Sequence, residues 1–447
     1  MTHLSQEPSF SASVPPVSDI VVAVPSTPSP ARPQAQRFLN GEVHDWYRIV
    51  LGFTDRVVAE LINQFQVKPG ELVLDPFCGT GTTLIECMKR QIRSVGIDAN
   101  PSSVFAARAK ANWSLQSGHL LNLLRDVRQL TRRRFLRQKT AFKRDQTYAY
   151  LVDSGMIKRG WISREPLRKA IAIKNAIAAL QADKPYQDAL TLSLIAEVVG
   201  RASNVKFGPE LYCGPRKKDA DVFEGFEKRV QAMAKDLDTL AQQPRATAAV
   251  LEGDARDAAA VLEVAGAPGP YHALICSPPY PAEHDYTRNS RLELAFLEAV
   301  TDIQSLREYK KRQLRSHTKG IYKGDNDSHH VANHPAIDAV ANEIEVNVRD
   351  KTHGFARLYS TVVREYFGGM KRHLLSVTRV LVPGASCAYV LGDQSGYAGV
   401  HIPTAELLAQ VAAECGYQVV GIRPWRARWS TTTSKNIQEN ILLLKRI

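Results

Sequence analysis

Apolar and polar positions alternate along this chain in two registers, and a globular pattern begins near Phe38. Val57, Val58, Leu61, Ile62 and Phe65 recur at helical spacing, and Lys68-Pro69-Gly70 stops that helix. Glu71–Asp75 is a short apolar strand, Pro76–Thr83 a loop and Leu84–Arg90 a helix. Ser94–Asp98 is a second strand ending in an acid, followed by a helix over Ser102–Trp113. From Leu115 to Leu240 the pattern is mostly helical, with no alternating strands. Strands return at Ala248–Asp254 and at Tyr271–Cys276, the latter running into Ser277-Pro278-Pro279-Tyr280. A polar stretch covers Thr287–Phe355. The chain then alternates again: helix Tyr366–Leu381, strand Ser386–Leu391, helix Ala405–Cys415, and strands Gln418–Arg423 and Ile437–Lys445. Strand, glycine loop, helix and strand ending in Asp open a doubly wound parallel α/β sheet, with ligand expected at the carboxyl ends of the strands.

This pattern divides the chain into a tail (1–36), core segments at 37–114, 241–286 and 356–447, a helical insertion at 115–240, and a second insertion at 287–355. The tail holds seven Pro and seven Ser with few large apolar side chains, too little to offset its ordering entropy, so it is expected to be disordered. No internal repeat is visible.

Charge sharpens the picture of the first insertion. The chain's 58 Lys and Arg against 45 Asp and Glu give +13, and between Leu121 and Ala170 there are fourteen basic residues against four acidic ones. Arg132, Arg133, Arg134 and Arg137 lie in the densest part. A one-signed block repels itself unless an anion lies on it, and phosphate backbone is the usual anion. The alternative is a solvated helix face. No run of about 18 apolar residues is present, so no membrane span is expected. The six cysteines form no CxxC pair, so a reduced, cytoplasmic protein is expected rather than a disulfide scaffold or zinc ribbon.

Two motifs carry the chemistry. In Asp75-Pro-Phe77-Cys78-Gly79-Thr80-Gly81-Thr-Thr83, the glycines permit a tight turn and close backbone approach. The helix N-terminus behind them offers free amides to an anionic group. A GxG alone also suits dinucleotide binders, but GxGxxG and GKS/T are both lacking. Asp98, about twenty residues on, places a carboxylate where it can accept both hydroxyls of a ribose. In the second motif, Ser277-Pro278-Pro279-Tyr280, two prolines stiffen the turn and leave carbonyls without neighbouring amide donors. A hydroxyl, an unpaired carbonyl and an aromatic face held together suit a flipped base bearing an NH2 group. Taken alone, the motif is more often a Pro-Pro turn capping a strand.

The pairing of DPFCGTGTT with SPPY resembles the amino-methylating DNA methyltransferases, and the serine form resembles their cytosine-N4 branch. The likeness extends to Gly96–Pro101, Ser203–Glu210, Gly253–Arg256, Ser277–Arg288 and a leading segment His44–Tyr47 with Phe53. It implies the seven-stranded S-adenosylmethionine-dependent methyltransferase sheet, with a reversed hairpin at its end and a mostly helical insertion. Asp75, Phe77, Cys78, Gly79, Thr80 and Gly81 would line the S-adenosyl-L-methionine site, Asp98 would hold the ribose, and Asp254 with Ala255 would meet the adenine. Trp46 or Phe53 would pack on the cofactor side. Ser277, Pro278, Pro279 and Tyr280 would hold the target base. The implied partners are double-stranded DNA and a cognate restriction endonuclease; the basic block, not the resemblance, assigns the DNA contact to Arg132, Arg133, Arg134 and Arg137. The motif order, glycine loop before SPPY, departs from the permuted order of many cytosine-N4 relatives.

Other readings are an adenine-N6 enzyme, an RNA guanine-N2 methyltransferase sharing the glycine loop, and a DNA-binding protein with a decayed catalytic core. Cys276 precedes the prolines at the end of an apolar strand, where a buried small hydrophobe is expected rather than a nucleophile. His317, His329, His330 and His334 cluster with Asp325 and Asp327, but Ala336 stands where an EF-hand needs Glu. No metal is expected there; the stretch reads as a flexible loop near DNA.

Overall fold

The computed structural model describes residues 42–47, 52–137, 140–207, 211–281, 284–351 and 354–430, and 435–447. The proline- and serine-rich tail lies outside them. The chain runs α1 (Asp55–Gln64), β1 (Leu72–Asp75), α2 (Thr82–Lys89), β2 (Arg93–Asp98) and α3 (Pro101–Lys110). The first insertion follows with α4 (Ser117–Arg137), α5 (Gln146–Asp153), α6 (Arg164–Ala178) and α7 (Lys184–Glu197). A small antiparallel pair, β3 (Val205–Phe207) and β4 (Leu211–Cys213), and helix α8 (Val222–Ala241) complete it. The core resumes with β5 (Ala248–Glu252), α9 (Ala258–Val264) and β6 (Tyr271–Cys276). The second insertion contributes α10 (Tyr286–Asn289), α11 (Arg291–Phe296), α12 (Ile303–Lys311) and α13 (Pro335–Val348). The chain closes with α14 (Tyr359–Thr378), β7 (Leu381–Gly392), α15 (Thr404–Ala413), β8 (Tyr417–Ser430) and β9 (Lys435–Arg446).

Seven strands form one sheet in the order β5-β2-β1-β6-β7-β9-β8. β9 alone runs against its neighbours, inserted between β7 and β8. This is the doubly wound sheet with a reversed terminal hairpin that the sequence implied. Successive residues of each central strand feed opposite faces, as the two-residue strand period requires. Val73, Ala273, Ile275, Ala388, Val390, Ile441 and Leu443 pack with α1 side chains. Leu74, Leu274, Cys276, Cys387, Tyr389, Leu391 and Leu442 pack on the other face with α9, α14 and α15. The first insertion has a core of its own, continuous with Ile85 and Met88 of α2, Ala106 of α3 and the leading Val43 and Trp46.

The strand order turns between β1 and β6: the chain builds outward from β1 through β2 to β5, then crosses back to the other side of β1. Such a switch point opens a crevice at the carboxyl ends of the two strands. The loops after β1 and β6 are those bearing the two motifs, so topology alone brings together segments about 200 residues apart.

The second insertion is packed, which corrects the expectation of a flexible loop over His317–His334. His317, Asp327 and His334 are buried. The turn at Asp327 presses directly on α14: a Cβ added at Gly368 would lie 1.9 Å from the Asp327 carbonyl oxygen. Asp325 and Asp327, which suggested a solvated loop, are instead paired internally, while His329 stays exposed. Arg315 grips Asp325 through two 2.7 Å bonds, and the Asp327 N–H donates to Glu365 at 3.0 Å.

Candidate active site

The glycine loop leaves β1 at Asp75, whose carboxylate accepts the Phe77 N–H at 3.1 Å and is almost fully buried. Burial pushes its pKa up to about 7, against the Thr83 hydroxyl and that N–H. Gly79 and Gly81 both take positive φ, 50° and 87°, the left-handed region that glycine enters at least cost. Nothing lies within 4 Å of where a Gly79 Cβ would be, so the backbone there faces open space. Gly96 serves the loop from β2: a Cβ on it would meet Cys78 Cβ and Leu84 Cδ1, each at 2.8 Å. Cys78 and Cys276 are buried and their thiols are pushed well up by desolvation, so neither is available as a thiolate at neutral pH.

Asp98 stands at the end of β2, half-buried beside the loop. Its Oδ2 accepts the Gly79 N–H at 2.9 Å and its Oδ1 the Asn100 N–H at 2.7 Å. Each oxygen keeps a lone pair. Burial raises the carboxyl to about 6, the two backbone donors holding it down in part. On the neighbouring strand end, Asp254 is clasped by Arg256, whose Nε reaches both carboxylate oxygens at 3.0 Å and whose Nη2 reaches one at 2.6 Å.

Several contributors escaped the sequence reading. His373 on α14 contacts the Ala255 carbonyl through Nδ1 at 2.7 Å and the Tyr389 hydroxyl through Nε2 at 3.1 Å. Burial lowers its pKa to about 4, so the ring is neutral, with Nδ1 as the donor to the carbonyl. Phe77 packs on it with ring centroids 5.0 Å apart, which joins the glycine loop to the Asp254-Ala255 turn. From the second insertion, Ser290 accepts a bond from Asn100 Nδ2 at 3.1 Å. Tyr309, buried, is raised by desolvation and by nearby Asp98. Arg256 also pairs with Asp327 at 2.5 Å. A lone His or Tyr on a polar helix gives no periodic signal; the Asp254-x-Arg256 spacing was the one visible clue.

The second motif leaves β6 at the switch point. The Ser277 hydroxyl donates to the Val390 carbonyl at 3.1 Å, and it also lies within hydrogen-bonding reach of the Tyr280 phenol. The Tyr280 ring lies against the end of β7, where a Cβ on Gly392 would come within 2.7 Å of Cε2. The Tyr280 N–H donates to the Tyr286 hydroxyl at 3.3 Å.

The leading segment ties the insertions to the core rather than presenting an open ring. Trp46 Nε1 donates to Asp236 at 2.7 Å, the Tyr47 hydroxyl to Glu293 at 2.6 Å, and Phe53 is buried in the apolar cluster holding Val73 and Ile275. His44, Asp55 and Glu86 converge within 4.8 Å. Burial would raise Glu86, but His44, Lys89 and Arg90 together hold it at about 2, so side-chain cations already meet that carboxylate. Arg132 and Arg133 are exposed on α4; the side chains of Arg134 and Arg137 lie outside the described ones. Among the described residues, no helix is long and apolar enough to cross a membrane.

A family model described as DNA methylase matches residues 54–108, which span α1, the glycine loop and Asp98. The type II methyltransferase M.BsoBI of Geobacillus stearothermophilus is 24% identical over 87% of this chain and 81% of its own length. M.AvaI of Nostoc sp., also a type II methyltransferase, is 23% identical over 84% of this chain and 79% of its own. A tRNA (guanine(10)-N2)-dimethyltransferase of Methanocaldococcus jannaschii is 35% identical, but over 15% of this chain and 16% of its own length. The long matches take in most of the chain, whereas the short one covers a fraction of it. With a seven-stranded sheet whose switch point joins the glycine loop to Ser277–Tyr280, the chain is similar to type II methyltransferases over most of its length and to the DNA methylase family over residues 54–108.

Proposed function

We propose that this protein transfers a methyl group from S-adenosyl-L-methionine to the exocyclic N4 amine of cytosine in double-stranded DNA, as the modification half of a restriction–modification system. The observation that carries the base assignment is the Ser277 hydroxyl. It sits directly after β6, bonded to the Val390 carbonyl and beside Tyr280, where its oxygen would accept from an exocyclic amine. The type II relatives support the restriction–modification context.

The residues present fit the cofactor. The open backbone at Gly79 leaves room for a ligand against the loop, and Asp98 keeps one lone pair on each oxygen for a pair of ribose hydroxyls. Asp75, Phe77, Cys78, Thr80 and Gly81 complete the loop, with Asp254 and Ala255 at the adenine end. When bound, S-adenosylmethionine supplies an electrophilic methyl group. The chain's own task is to make a poor nucleophile competent, because the amine lone pair of cytosine is delocalised into its ring. Ser277 Oγ and the Pro278 carbonyl accept the two amine hydrogens and favour a tetrahedral nitrogen, Pro279 keeps the turn rigid, and Tyr280 supplies a face for stacking. This is positioning and electrostatics, with no covalent enzyme intermediate.

Nucleoside mass spectrometry of DNA incubated with the protein and cofactor tests the assignment. N4-methylcytosine is the expected product. N6-methyladenine alone would transfer the same chemistry to adenine, and label entering RNA but not DNA would overturn the DNA reading.

A further inference from the structure

Strands β8 and β9 outrun the sheet. β7 pairs with β9 from Ser386↔Lys445 to Gly392↔Glu439 and stops, whereas β8 and β9 continue pairing to Ser430↔Lys435. They leave as a two-stranded arm from the carboxyl edge, where Ser277 and Tyr280 sit. The root of the arm is tied to the segment that follows β7. Asp393 N–H donates to the Gln438 carbonyl at 2.9 Å, and Arg428 Nη2 donates to Gln394 Oε1 at 2.8 Å. Arg426 and Arg428 both reach the buried Glu439, at 2.5 and 3.5 Å.

The register separates the arm's two faces. Arg426, Arg428 and Glu439 share one; Ala427 and Trp429 lie on the other, and Trp429 leaves 60% of its surface exposed. From Gly421 to Gln438 there are four Lys or Arg and no Asp or Glu. Two-stranded ribbons are marginal in water and gain nothing from an uncovered indole. An exposed aromatic on a basic ribbon suits a polyanion that also offers flat faces for stacking.

We propose that the β8–β9 arm is a duplex-DNA contact beside the target-base pocket, with Trp429 stacking against the strand next to the extruded nucleotide. This rests on the reading of DNA as substrate given above. The test is fluorescence anisotropy with a labelled mixed-sequence duplex, using Trp429→Ala and Trp429→Phe. Alanine is expected to weaken binding about fivefold or more, and phenylalanine to keep most of it. Thermal midpoint and S-adenosylmethionine affinity should stay unchanged in both, because the side chain is exposed. Equal duplex affinity in wild type and Trp429→Ala overturns the inference. So does a wild type that does not bind duplex, or a concentration-dependent dimer that Trp429→Ala dissolves, which would make the arm a contact between copies. A parallel assay of methyl transfer to unmodified genomic DNA keeps the two readings apart: no transfer with the anisotropy difference intact would fault the catalytic reading and leave the arm standing.

Discussion

The ribose contact proposed for Asp98 calls for an ionised carboxylate, and burial makes that ionisation sensitive to pH. Burial lifts its pKa from 3.8 to about 6. A carboxyl raised in the folded state favours folding most below its unfolded pKa, and that contribution is lost as pH climbs through the folded value. The free protein should therefore lose some stability between about pH 4 and 6 on this group's account. Cofactor binding should move the other way, because hydroxyl donors prefer the charged form. Calorimetry from pH 5 to 8 is expected to show S-adenosylmethionine affinity rising with pH and levelling above about 6, with Asp75, raised to about 7, broadening the plateau's onset. Asp98→Asn should flatten the lower part of that rise. Asp98→Ala should cost roughly 1.5–3 kcal/mol of cofactor binding, the loss expected for a charge-assisted bond, while leaving the thermal transition cooperative. An affinity unchanged in Asp98→Ala would remove this residue from the site.

At the scale of elements, the second insertion is fastened to the Asp254 end of the sheet by buried charge. Arg256 holds Asp254 on one side and Asp327 on the other, and Arg372 joins Asp327 at 3.2 Å and Asp257 at 2.5 Å. Removing one member of a buried ionic cluster typically costs about 3–5 kcal/mol, so Asp327→Ala should lower the urea midpoint markedly; an unchanged midpoint would contradict the pairing. The same seam explains a helix with two central glycines. Each costs about 1 kcal/mol relative to alanine in a helix interior, yet Gly368 and Gly369 are what let Asp327 and Leu314 approach α14. Gly368→Ala should destabilise by at least about 1–3 kcal/mol through overpacking, read in the same denaturation experiment, although the helix alone would be improved. Much of this fold was legible beforehand because strands ending in Asp75, Asp98 and Cys276 carry their own period and punctuation. The seam was not legible, because its ion pairs join residues 71 and 115 positions apart and leave no period. The polarity of Asp325 and Asp327 pointed to solvent when their partners were internal. The β3–β4 pair, three residues a side, is likewise too short to leave an alternating signature.

For the whole molecule, the question is where a duplex would lie. The sheet places its motifs at one carboxyl edge, and the insertions interrupt the core without supplying strands to it. The first insertion carries a local excess of ten positive charges, and α4 turns Arg132 and Arg133 to solvent. Among the described residues, Arg132 and Arg133 are not paired as Arg256 or Arg315 are, which supports the proposal that they meet phosphate. Phosphate contacts weaken binding on all sequences alike when removed, and they steepen its salt dependence while present. Replacing Arg132, Arg133, Arg134 and Arg137 by alanine should therefore lower duplex affinity and reduce the slope of log K against log salt by up to about 0.9 for each phosphate no longer neutralised. Cofactor affinity should hold, since Asp98 and the glycine loop make no bond to α4 among the described residues. The rival footprint is the second insertion together with the β8–β9 arm, which adjoins Tyr280 directly. Those residues are expected to affect duplex binding close to the base, while the α4 cluster acts as a general anchor. A salt titration in which the quadruple variant keeps the wild-type slope would take the anchor away from α4 and leave the duplex held by the second insertion and the arm.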